Sequence, residues 1–181
     1  MIIESKEDLL KWYDEEYCLQ AVKQKPSNLK YVKNQTEEIC LEAVKCDIYT
    51  LKYVKNQTKE ICLVAIKQNE YAIRFIRNPT EELYLEAVKQ NGLILQYIHN
   101  PTEKVCLKAV KQDGEALQYV HNQTEEICLA AVKQNPWALQ YVNNQTEKIC
   151  LEALNQSIDV IKCIDIKKFP KVYEKYLFMV K

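Results

Sequence analysis

The stretch from Asn122 to Asn143, NQTEEICLAAVKQNPWALQYVN, decides the fold, because close copies of it recur on both sides at a fixed interval of 22 residues. Asn34, Asn56, Asn78, Asn100, Asn122 and Asn144 open successive copies, and Trp12 opens a weaker one. Seven copies thus fill residues 12–33, 34–55, 56–77, 78–99, 100–121, 122–143 and 144–165. A short, constant period of helical character marks a stacked solenoid, in which each copy buries its apolar face against its neighbours. The sequence therefore predicts an all-α fold, an α-solenoid of seven helix-turn-helix repeats. Residues 1–11 are expected to cap its N-terminal end and residues 166–181 to form a C-terminal capping helix.

Each copy carries two sets of helix signals. Thr124 and its equivalents stand just before an acidic pair such as Glu125 and Glu126, which suits a helix N-terminus: the hydroxyl accepts a free N–H and the carboxylates face the positive end of the dipole. Ile127, Cys128, Leu129, Ala131 and Val132 form a wide apolar stripe that needs neighbours on two sides. Asn135-Pro136 then restarts the chain, with the amide as cap and proline at the first helical position. Ala138, Leu139, Tyr141 and Val142 make the apolar set of a second helix, and Asn144 suits the left-handed conformation that often ends one. Two helices of about 8 to 11 residues are expected, each too short to be stable alone.

Bulk composition narrows function mainly by exclusion. The 181 residues include 25 basic and 25 acidic side chains, so no net field draws the chain to nucleic acid or lipid. The start MIIESKEDLLK has neither the basic flank nor the apolar run of a secretory signal, and no stretch is long and apolar enough to span a bilayer. A soluble, cytoplasmic protein is expected. With two glycines, Gly92 and Gly114, the chain lacks a glycine-rich phosphate cradle.

Cysteine provides the most conspicuous chemical column: Cys18, Cys40, Cys62, Cys106, Cys128 and Cys150 share one repeat position, which Tyr84 takes in the fourth copy. Neighbouring helices stack at roughly 8 to 10 Å, too far apart for disulfides or a shared zinc, so buried, reduced thiols are expected. His99 and His121 share the last position of their copies and fit a helix-end role. The acidic pairs, such as Glu37 and Glu38, are accounted for by the first helical turn, leaving no acid/base dyad. No enzyme activity, cofactor, metal or small-molecule substrate is therefore expected.

Two surface sets remain. The second position of the second helix varies most among copies, as Ser27, Tyr49, Tyr71, Leu93, Glu115, Trp137 and Asp159. Large side chains in such a row have the composition of interface hot spots, which makes Tyr49, Tyr71, Leu93 and Trp137 candidate partner contacts. Lys30, Lys33, Lys52, Lys55, Arg74 and Arg77 concentrate cations in the first three copies. If the members of each pair share a helix face, they form a candidate anion-binding patch for nucleic acid or another polyanion.

The wording NQTEEICLEAVKQN-x-x-ALQYV, nearly complete in residues 122–142 and varied in residues 34–54, resembles the helical repeats of unknown function abundant in giant DNA viruses of amoebae. The resemblance covers residues 12–165. It implies a virus-encoded protein in the cytoplasm of an infected cell, and it brings no catalytic residue. A non-enzymatic scaffold that binds a protein partner is the expected function, with polyanion binding as the alternative.

Overall fold

The computed structural model describes residues 9–181, so the expected cap at residues 1–11 falls mostly outside the described residues. Two compact units divide the chain, one ending at Glu86 and the other beginning at Ala87. The same repeat builds both. Its first element is an α-helix: α1 Glu15–Gln24, α2 Glu37–Cys46, α3 Lys59–Gln68, α4 Glu81–Gln90, α5 Glu103–Gln112, α6 Glu125–Gln134 and α7 Glu147–Gln156. A final helix, α8 Pro170–Met179, follows the last repeat, and the described residues contain no strand.

Threonine starts these helices as its chemistry predicts. The hydroxyls of Thr36, Thr58, Thr102, Thr124 and Thr146 accept the backbone N–H three residues on, and the Asp14 carboxylate does so for α1. At the other end Lys23, Lys45, Lys67, Lys89, Lys111 and Lys133 lie in the last turn, where a cation complements the dipole.

The second element departs from expectation. It is a six-residue 3-10 helix in every repeat: Pro26–Tyr31, Ile48–Tyr53, Glu70–Phe75, Gly92–Tyr97, Gly114–Tyr119, Pro136–Tyr141 and Ile158–Cys163. Only six residues fit between the restart and the next corner, and an i+3 ladder closes more bonds over so short a length than an i+4 ladder can. Such 3-10 runs are uncommon beyond 3 or 4 residues, so both ends need partners. The starts are held by Asp47, Asn69, Asn91, Asp113 and Asn135, whose Oδ1 atoms accept the N–H two residues on. Left-handed backbone is also rarer than expected: among the described non-glycine residues it occurs at Asn100 alone, with φ 51°, and not at Asn144. Residues such as Lys55 and Asn56 instead turn the corner as a bend.

Within each unit neighbouring repeats pack α-helix to α-helix and 3-10 helix to 3-10 helix, making an α-solenoid stack. The core consists of columns. Ile39 and Ile61 in one unit, and Val105, Ile127 and Ile149 in the other, are almost fully buried, as are the adjoining alanines Ala43, Ala65, Ala109, Ala131 and Ala153. Leu29 and Leu51, then Leu117 and Leu139, supply the 3-10 side of the core. The alanine column lets successive α-helices approach closely, since a larger side chain there would hold them apart. At the C-terminal end α8 packs on α7 and the last 3-10 helix, burying Phe169 and Val172.

Candidate functional site

The variable row stands at the second residue of each 3-10 helix. Tyr49, Tyr71 and Trp137 are exposed there, at 57%, 37% and 39%, whereas Leu93 is half-buried. Their backbone N–H groups are the ones that the Asp or Asn caps hold, at 2.8 to 3.0 Å. The main chain is thus fixed while the side chain is free to change between copies. Tyr49 also leans edge-on against Phe75, with ring centroids 5.4 Å apart.

The six cations do not share helix faces, because the 3-10 helices end at Tyr31, Tyr53 and Phe75, before Lys33, Lys55 and Arg77. Lys30 and Lys52 place their ammonium groups over the rings of Tyr31 and Tyr53, at 4.7 and 5.0 Å. Lys55 turns back to donate to the carbonyls of Val32 and Lys33, at 3.3 and 2.6 Å. Arg77 does the same to Val54 and Lys55, both at 2.7 Å. These two cations fasten one repeat to the one before it.

At the same corners lies a role the sequence did not reveal. The Gln57 amide donates to Leu51 O of the preceding repeat and to Phe75 O of its own, both at 2.9 Å, and its Oε1 accepts Arg77 N–H at 2.9 Å. Gln35 and Gln123 repeat the three-way bridge, and Gln145 bonds Leu139 O and Cys163 O. The glutamine of Asn-Gln-Thr therefore satisfies the trailing carbonyls of two adjacent 3-10 helices. Its recurrence between copies at a half-buried polar position was the available signal.

Behind each corner lies the cysteine column. All eight cysteines are free thiols; the six of the column are buried, Cys163 is half-buried and Cys46 is exposed. Burial pushes the column thiols up from their ordinary range, Cys40 and Cys150 to about 11, and protonated thiols are poor nucleophiles. Among the described residues no three His, Cys, Asp or Glu side chains are placed to hold a metal. Cys40, Cys128 and Cys150 each direct their sulfur to the Oε1 of the corner glutamine, at 3.7 Å.

Of the hollows on the surface of the second unit, two lie beside substitutions peculiar to one copy. A groove of about 600 Å³ crosses α5 to α7, floored by Leu107, Leu129 and Ala130 and edged by Lys111, Lys133 and Glu126. It opens because Ala130 stands where the flanking copies carry Lys108 and Glu152. The other hollow, of about 500 Å³, lies at the corner where Pro101 takes the place of glutamine, and Cys106 and His121 help to line it.

Tandem capped repeats, columnar cores and corner bridges define the class: helical-repeat proteins of the α-solenoid type. The family model described as a domain of unknown function, DUF4116, matches residues 14–57, 36–79, 80–123, 102–146 and 124–169, so the chain belongs to that family. Each match covers two successive repeats, and the overlaps follow from the 22-residue period. No curated protein and no solved structure matches the chain.

Proposed function

We propose that the protein is a non-enzymatic scaffold that binds a protein partner along the variable row of Tyr49, Tyr71, Leu93 and Trp137. One observation carries this reading: the row combines a capped backbone with large side chains that differ from copy to copy, three of them exposed. Large aromatic groups on a rigid frame lose little entropy when a partner covers them. In keeping with the resemblance of the repeat wording, the chain is assigned to a giant virus and to the cytoplasm of its infected host, where the partner would be met. No helix among the described residues is long and apolar enough to cross a membrane.

The test is affinity capture from infected cells with wild type and with a Tyr49→Ser, Tyr71→Ser, Trp137→Ser variant of matched melting temperature. Loss of a stoichiometric protein partner in the variant is expected. Retention of every partner would refute the row as the binding surface.

The alternative is polyanion binding by Lys30, Lys33, Lys52, Lys55, Arg74 and Arg77, favoured by the presence of Gln96, His99, Gln118 and His121 at the same positions in the next two copies. If all six engaged phosphates, log affinity for duplex DNA would fall with log salt at a slope near about −5. Replacing Lys30, Lys33, Lys52 and Arg74 by Gln, which spares the carbonyl-bonding Lys55 and Arg77, should abolish that binding. A wild type that holds no duplex at low salt would eliminate this alternative.

A further inference from the structure

We propose that the hollow beside Pro101 is a modification site in which the Cys106 thiol exchanges with small, cationic disulfides. The molecule contains its own control. In repeat 2 the corresponding corner, built from Gln35, Glu37 and Cys40 with Lys55, Asn56 and Thr58, encloses about 110 Å³, whereas at Pro101 the hollow measures about 500 Å³. Glu37, Cys40, Asn56 and Thr58 all keep their identities at the second corner, as Glu103, Cys106, Asn122 and Thr124. Two side chains change. Pro101 removes the amide that lies against the sulfur in repeat 2, at 3.7 Å. His121 replaces Lys55, whose ammonium reaches across the corner to the carbonyls of Val32 and Lys33.

Repeat 4 makes the comparison sharper. It too has a corner proline, Pro79, but Tyr84 occupies its place in the cysteine column, so the lost amide is accompanied by a large ring. Repeat 5 has lost the amide and kept the small sulfur; repeat 1 has lost it too, but there the Cys18 sulfur meets Lys11 O at 3.9 Å and the thiol is 1% exposed. Accordingly, Cys106 is the most exposed thiol of the column, at 5% against 2% for Cys40, 3% for Cys128 and 0% for Cys150. It is still more than nine-tenths buried, lines the hollow, and lacks the amide acceptor that Cys40, Cys128 and Cys150 have.

The walls select the reagent. The Glu103 carboxylate, which accepts the Thr124 hydroxyl at 3.1 Å, places negative charge beside the sulfur and disfavours anions. In the exchange, the Cys106 sulfur bonds to one sulfur of the reagent and the reagent S–S bond breaks. The departing thiolate takes the proton that Cys106 gives up, so Cys106 is oxidised and the departing sulfur reduced. Burial, then the Glu103 charge, hold the thiol above its ordinary range, so exchange quickens as pH rises, because the thiolate is the attacking species.

The test uses the full chain carrying Cys46→Ser and Cys163→Ser, which removes the two thiols outside the column, with cystamine as probe. Adducts on the native protein are located by peptide mass spectrometry. Cys106 should be modified about tenfold or more faster than Cys40, Cys128 and Cys150. Pro101→Gln with His121→Lys rebuilds the repeat 2 corner and should slow Cys106 to the rate of Cys40 without lowering the melting temperature. Equal rates for Cys106 and Cys40 in the parent, or an unchanged Cys106 rate in the rebuilt corner, would overturn the proposal. An anionic disulfide that reacts as fast as cystamine would overturn the charge selection.

Discussion

At the scale of the residue, the corner glutamine shows how one side chain can serve two repeats. Removing the Gln57 amide leaves the carbonyls of Leu51 and Phe75 and the N–H of Arg77 without the partner they share. Because unmet polar groups cost more than a net hydrogen bond contributes, Gln57→Ala should destabilise by about 1 to 3 kcal/mol in chemical denaturation. The exposed Gln20, replaced in the same way, should change stability by less than about 0.5 kcal/mol. The thiols add a pH dependence. Between their ordinary value near 9 and about 11, Cys40 and Cys150 keep their protons in the folded chain while the unfolded chain loses them. The folded state then binds more protons, so stability must fall as pH rises across that window. Thermal melts should show the fall, with a shallower slope in a Cys40→Ala, Cys150→Ala variant.

At the scale of the element, the α-helices were legible and the 3-10 helices were not. Thr124, Glu125 and the stripe from Ile127 to Val132 state a helix start and its buried face in local terms, so reading them needed no tertiary information. The segment from Pro136 to Tyr141 has apolar spacing compatible with either ladder. What selects the tighter one is its distance from the corner and the bridges from Gln123 and Gln145, which lie outside the segment, and neither appears in the pattern of the segment itself. The same limit applies to the candidate site. Exposed Tyr49 and Trp137 could be foreseen from variation between copies, but the turning back of Lys55 and Arg77 could not, since it depends on where the preceding carbonyls lie. The glycines are a further case. A Cβ on Gly114 would stand 2.6 Å from the carbonyl oxygen of Ala131, in the helix of the next repeat. Gly114→Ala should therefore cost about 1 to 3 kcal/mol through overpacking, which urea denaturation would measure. A neutral result would mean that the two helices separate without cost. A second ladder adjusts to the same position: Gln134 Oε1 accepts the Gly114 N–H. Opposite Pro136, which has no N–H, Gln156 donates to Val132 O at 3.1 Å.

At the scale of the whole molecule, the repeat is the unit of change. Deleting residues 34–55 joins Lys33 to Asn56 in register and regenerates every type of neighbour contact, so a shorter chain should still unfold cooperatively, with a lower melting temperature. Deleting residues 34–44 alone puts the corner out of register and should leave no cooperative transition by circular dichroism. Similar melts for the two deletions would contradict nearest-neighbour stabilisation. The corner bridges also bear on how the chain acquires its fold. Those from Gln35, Gln57, Gln123 and Gln145 to the end of their own repeat join residues only 18 to 20 apart, and their other arm reaches back six residues to the preceding repeat. Low sequence separation means that little loop entropy is lost before contacts form, which favours rapid folding. During synthesis at about 5 to 20 residues per second, the rest of the copy needed to close each bridge would leave the ribosome within seconds. The nascent chain would then add folded repeats singly and in order, exposing at any moment little more than the apolar edge of the newest copy.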